Sequence, residues 1–233
     1  IYYALHRNQL GGVSVLLIHG AGENHLVWPI GLRRLPGAIV YAIDLPGHGK
    51  STGMGRSTIV DYAAWTVSFL DALHIPAAVF IGHSMGGAIA IRVTLARPDL
   101  VRSLILMDTS GWSFADEDAD VAAMIAGFIE SFDPAGGLPD LGAMPSAEID
   151  LIDAATAPEW QAMKAQMAAS FDPYALKALG RQLFEGDGDW VRPRLGEISC
   201  PVTVIVGERD HPFIDQAADL AGEVADGRFI VID

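Results

Sequence analysis

The sequence predicts an α/β fold, a doubly wound and mostly parallel sheet that carries an all-helical insertion. Three observations point there. Short, β-branched apolar runs recur along the 233 residues. Stretches with apolar residues at helical spacing separate them, and one long segment of the second half has helical patterning with no strand. Strands buried on both faces of a parallel sheet read as continuous apolar runs. Alternation of such runs with helices is the mark of βαβ units.

In chain order, strands are expected over residues 1–5, 13–18, 38–43, 77–81, 101–107, 201–206 and 228–232. Helices are expected over 24–35, 58–74, 85–96 and 214–225. The second of these is the clearest. Ile59, Tyr62, Ala63, Thr66, Phe69, Leu70 and Leu73 share one helical face, with Ser57 or Thr58 placed to cap it. From Gly111 to Glu197, helical patterns at 116–132, 146–155, 159–171 and 173–184 are punctuated by Pro, Gly and Asp. The core is therefore expected over 1–110 and 197–233. A helical cap at 111–196, inserted after the sixth strand, would roof a pocket at the C-terminal edge of the sheet, where open α/β sheets bind ligands. Met124, Met144, Met163 and Met167 lie in that cap, as core gap-fillers or as flexible lining for an apolar substrate.

Composition removes several function classes. Hydrophobic residues make up 51% and charged residues 19%, enough for a sizeable core and too apolar for a disordered chain. Fifteen Lys and Arg against 29 Asp and Glu leave a net charge of −14, which repels phosphate backbones and anionic headgroups. Neither nucleic acid nor a membrane is an expected partner. Cys200 is the single cysteine, so no internal disulfide forms, and it reads as a small buried apolar residue. No histidines carry zinc-site spacing, so no metal is expected. No apolar run approaches the roughly 18 residues that span a bilayer, and a cytoplasmic location is the expectation. The chain begins at Ile1 without a methionine and ends at Asp233, inside expected strands, so a longer parent protein is expected.

The sharpest motif is Gly82-His83-Ser84-Met85-Gly86, followed by Gly87. A bare G-x-S-x-G is weak, but here a strand runs straight in and a helix straight out. A serine on so tight a turn takes a strained backbone, with glycines on either side relieving the crowding. Its hydroxyl then projects above the sheet, beside the positive end of a helix. A second motif, His19-Gly20-Ala21-Gly22, follows the strand at 13–18. Acyl transfer needs two convergent donors for its oxyanion; the Met85 amide would supply one and a loop amide, Ala21, the other. Two nucleotide-binding readings fail at residues their chemistry needs. His25 stands where a dinucleotide fingerprint has its third glycine, and Asp44 where a phosphate loop ending Gly49-Lys50-Ser51 has its first.

With Asp44-Leu45-Pro46-Gly47-His48-Gly49-Lys50-Ser51 and Val206-Gly207-Glu208-Arg209-Asp210 added to these two motifs, the sequence resembles the α/β-hydrolase family, in its capped, esterase-like serine hydrolase branch. The resemblance implies Ser84 as nucleophile, Asp210 as triad acid, and the Ala21 and Met85 amides as the oxyanion hole. It also implies a histidine in the loop after the last strand, on the order of four residues past Asp233, since the triad order in this fold is Ser, acid, His. Asp108, after the strand at 101–107, is the rival for the acid role and otherwise caps a turn at the cap hinge. His19 is read as a brace of the oxyanion loop, His48 as structural, His83 as a pocket wall, and His25 with Trp28 either as lining of the pocket entrance or as plain helix packing. His6 and His74 are read as surface or loop residues. The implied activity is hydrolysis of small-molecule carboxylic esters, with small to medium apolar acyl groups, through an acyl-enzyme and without a cofactor. Thioester, lactone, carbon–carbon and perhydrolase chemistry fit the same nucleophile. A non-catalytic ligand-binding protein on the same fold is the alternative, although it would leave the strain at Ser84 without a use.

Overall fold

The computed structural model describes residues 1–7, 11–112, 191–210 and 213–233, with 162, 163, 166, 169, 170, 172 and 179 between them. Seven strands form one sheet: β1 (Tyr2–Arg7), β2 (Val13–Ile18), β3 (Ala38–Asp44), β4 (Ala78–His83), β5 (Val101–Met107), β6 (Val202–Gly207) and β7 (Gly227–Ile232). Their order is β1-β3-β2-β4-β5-β6-β7, with β1 antiparallel to β3 and every other pair parallel. All the parallel strands therefore point their C-terminal ends, and the loops that follow, at one edge.

The apolar runs bury both faces of this sheet. Leu16 and Ile18 enter a large core with residues of α2 (Ile59–Ala72), α3 (Met85–Ala96) and α4 (Phe213–Glu223). Val15 and Leu17, one residue out of phase, enter a smaller core with Val40, Ala42, Ile81 and Trp28. The period-2 alternation of a strand thus feeds two layers of packing. Thr58 caps α2, its hydroxyl accepting from Asp61 N at 3.0 Å, and His74 ends it in the left-handed region at φ 53°.

The helix expected over 24–35 shrinks to α1 (Ile30–Arg33), with Pro29 at its N-cap. Proline has no N–H to give and is tolerated only at a helix start. Upstream of it, side chains claim the backbone: Leu26 N donates to Asn24 Oδ1 at 2.9 Å and His25 N to Asp44 Oδ1 at 2.7 Å. Such local bonds compete with a helix and here replace it. Cys200 is half-buried rather than buried, packed against the large core.

The insertion follows the fifth strand in chain order, not the sixth, because five strands precede Gly111 among the described residues. The helices expected at 116–132 and 146–155 lie outside the described residues, as do most of those at 159–171 and 173–184. Both ends of the expected cap segment are buried in the large core, through Trp112 at one and Val191 and Leu195 at the other. Where the segment is described it meets loops at the C-terminal edge. Asp172 N donates to Gly47 O at 2.7 Å, Gly55 N to Asp172 Oδ2 at 3.2 Å, and Asn24 Nδ2 to Ser170 Oγ at 3.3 Å. Among the described residues no helix is long and apolar enough to cross a membrane.

Candidate active site

β4 delivers the chain to the sheet edge and α3 carries it away, and Ser84 is the single residue between them. It stands at φ 50°, ψ −121°, a conformation costly for any residue with a Cβ. The turn is jammed on all sides, which is why its neighbours are glycine. A Cβ on Gly82 would lie 2.5 Å from the Gly86 carbonyl oxygen, one on Gly86 would strike the Ile18 carbonyl, and one on Gly87 would strike the Thr109 side chain. The serine backbone is held from β5 and the loop after it as well as from α3: Ser84 N donates to Met107 O at 2.9 Å, and Ser84 O accepts from Thr109 Oγ1 at 2.6 Å and from Gly87 N at 2.9 Å. Met85 opens α3, so its N–H has no acceptor within the helix.

The loop 19–22 lies against this turn, since Gly86 touches its start and Gly20 faces His83. His19, fully buried, braces it from below. Leu45 N donates to its Nε2 at 3.0 Å, so Nδ1 carries the proton and donates to Gly20 O at 2.7 Å. Burial lowers its pKa, although the bond to Gly20 and nearby carboxylates oppose that, so the ring stays neutral in this role. Gly20 N donates to Glu23 Oε2 at 2.6 Å and Glu23 N closes back onto Gly20 O. The Ala21 N–H, partly exposed, meets no acceptor among the described residues.

His83, half-buried, donates from Nδ1 to Glu23 Oε2 at 2.9 Å. Glu23 is the residue that sequence reasoning missed. Its partner lies 60 positions away, and the only local hint was a carboxylate three residues after a loop glycine, the spacing of a cap. His25 and Trp28 occupy packing positions. His25 is 4% exposed, with Nδ1 2.7 Å from Asp44 Oδ1, and Trp28 is 3% exposed in the smaller core.

Both acid candidates stand at the same edge. Asp108, left-handed at φ 46°, follows β5 and accepts from Gly207 N on Oδ1 at 3.1 Å, which ties the end of β5 to the end of β6. Asp210 lies in the turn after β6, its N–H donating to Gly207 O at 3.1 Å and its carbonyl accepting from Ile214 N at 3.0 Å. Each exerts a charge effect on His83, so both carboxylates lie around the same histidine. His211 is outside the described residues.

The chain is similar to several known proteins. A dihydrolipoyllysine-residue acetyltransferase component of an acetoin cleaving system from Cupriavidus necator is 32% identical over 213 residues, covering 86% of this chain and 53% of that protein. Lipase LipV of Mycobacterium tuberculosis is 38% identical over 98 residues, 42% of this chain and 38% of the lipase. The chain thus spans about half, or less, of the length of these curated relatives. Among solved structures, MenH from S. aureus superposes with a TM-score of 0.82 at 20% identity, over 99% of this chain and 88% of that one, a likeness of fold. Residues 15–233 match the family model described as the alpha/beta hydrolase family, and the chain belongs to that family.

Proposed function

We propose that the protein hydrolyses carboxylic esters through a covalent acyl-enzyme on Ser84. The observation that carries this reading is the left-handed, glycine-walled Ser84, held between Met107 and Thr109 beside amides with no helical or loop acceptor. Ser84 Oγ attacks the ester carbonyl and loses its proton to a histidine, for which the family pattern gives the loop after β7, beyond Asp233. The Ala21 and Met85 N–H groups stabilise the oxyanion, each worth about 3 kcal/mol. The alcohol leaves with the proton from the histidine, and water, activated by the same base, releases the acid. The base is taken from that pattern: His19 spends both ring nitrogens on backbone, and the buried His25 and His48 turn Nδ1 to Asp44 and Pro46.

Asp210 is the acid that orients the base. The bond from Gly207 N to the Asp108 carboxylate fits a structural role for Asp108 and supports this assignment. The substrate is a small ester with a small to medium apolar acyl group, and no cofactor takes part. The lipase among the relatives supports ester cleavage. Hydrolysis of a short-chain nitrophenyl ester by the intact protein tests the reading. Turnover abolished in Ser84→Ala is expected; turnover unchanged in that variant, or none in the wild type, contradicts it and favours a protein that only holds its ligand.

A further inference from the structure

We infer that Glu23 is a positioning residue for this reaction, latching the oxyanion loop to the nucleophile turn through His83. The inference rests on the reading of Ser84 and Ala21 given above. One atom makes the latch. Glu23 Oε2 accepts from Gly20 N at 2.6 Å and from His83 Nδ1 at 2.9 Å. The first donor immediately precedes Ala21 and the second immediately precedes Ser84. A single carboxylate oxygen thus fixes the spacing between the expected oxyanion donor and the nucleophile.

The contact needs Gly20. A Cβ there would sit 2.8 Å from Glu23 Oε2, closer than real Cβ atoms come, and 3.1 Å from His83 Nδ1, so the carboxylate would have to shift. Glu23 also consumes the Gly20 N–H, so the next amide, Ala21, is the one left to face substrate. The pair is partly exposed, with 30% of the His83 side chain and 21% of the Glu23 side chain open. It therefore stands at the surface of the site and titrates with the solvent.

Electrostatics favour the charged pair. Burial pushes the His83 pKa down, but its bond to Glu23 and the charges of Glu23, Asp108 and Asp210 outweigh that and hold it above the usual imidazole value. Burial pushes Glu23 up, but the bond from His83, its charge, the Gly20 N–H and His19 hold it below the usual carboxylate range. A carboxylate–imidazolium bond is roughly twice as strong as a neutral one. Raising the pH through the His83 value removes the charge and loosens the latch, so kcat gains an alkaline limb that belongs to His83.

The test measures nitrophenyl ester kinetics across pH for the intact wild type, Glu23→Gln and Glu23→Ala, with an imidazole ¹⁵N NMR titration of His83 assigned by His83→Asn. Glu23→Ala is expected to lower kcat about 10- to 100-fold with KM within about twofold, as a displaced oxyanion donor should. Glu23→Gln keeps the shape without the charge, so it should recover part of kcat. It should also move both the alkaline limb and the His83 midpoint to lower pH. Ser84-dependent hydrolysis with an unchanged kcat and pH profile in Glu23→Ala, or a His83 midpoint indifferent to Glu23→Gln, overturns the latch alone. A wild type without Ser84-dependent hydrolysis overturns the esterase reading and the latch's role with it.

Discussion

Two glycine-rich loops at the C-terminal edge of the sheet, residues 44–51 and 82–87, carry similar residues and do opposite work. In the first, the Asp44 carboxylate accepts from His25 N, His25 Nδ1 and Lys50 N, and Gly47 and Gly49 take positive φ so the loop can wrap around it. His48 Nδ1 is spent on Pro46 O, and Tyr62 Oη donates to the same carbonyl. In the second, the glycines wall in a serine whose backbone is held and whose hydroxyl meets no partner among the described residues. The first loop ties its carboxylate into hydrogen bonds, whereas the second holds its serine, the proposed nucleophile, in a strained posture. Residue type alone does not separate the two.

Four experiments break or sharpen that contrast. The largest effect belongs to Ser84→Gly. Hydrolysis should fall about 10⁴-fold or more, as loss of a triad nucleophile does, while removing the Cβ from a left-handed position relieves about 1 kcal/mol. The melting temperature should then rise by about 2–4 °C for a domain of this size. A nucleophile variant that melts lower would mean that the turn is not strained. Next, Asp210→Asn should cost up to about 10⁴-fold in kcat and Asp108→Asn less than about tenfold, since an asparagine oxygen still accepts from Gly207 N. The reverse ranking transfers the acid role to Asp108.

The other loop answers in stability. Asp44→Ala strips an acceptor from three donors, the two on His25 buried, at about 1 kcal/mol or more for each buried one, so urea unfolding should show a loss of about 2 kcal/mol or more. A loss under about 1 kcal/mol would show that the loop holds itself without its carboxylate. The smallest effect is a pH dependence. Burial, then His19, press the His48 pKa down to about 3, against the bond to Pro46 and the charges of Asp44 and Glu23. The unfolded chain takes up this proton near pH 6.5 and the folded chain does not. Stability from this residue is therefore complete above about pH 6.5 and declines as pH falls toward about 3. Burial lowers His19 in the same sense. Asp44, held low by His25 and Lys50 against its own burial, adds a second loss at more acid pH. Urea midpoints at pH 7.5 and 5 should fall less in His48→Gln than in the wild type; equal falls would place the acid sensitivity elsewhere.

Strands were the most legible part of the sequence. The runs 13–18 and 101–107 match β2 and β5 end to end, because apolar, largely β-branched residues dominate both despite Ser14, Arg102 and Ser103. The helix from Met85 to Ala96 was equally clear. The helix over 24–35 was not, because periodicity cannot see a distant carboxylate claiming the His25 N–H. In the candidate site, Ser84, Met85 and the loop 19–22 were readable from motifs that encode a backbone shape. Glu23 and the bond from His25 to Asp44 were not. Each depends on a partner brought close only by the sheet: His83 across β2 and β4 in one case, Asp44 across β2 and β3 in the other.

The most direct measurement of the central claim is the intact mass of the purified protein before and after a fluorophosphonate probe, followed by peptide mapping. The account predicts a single adduct, on Ser84, absent from Ser84→Ala. An unlabelled wild type, or an adduct on another residue, would contradict it.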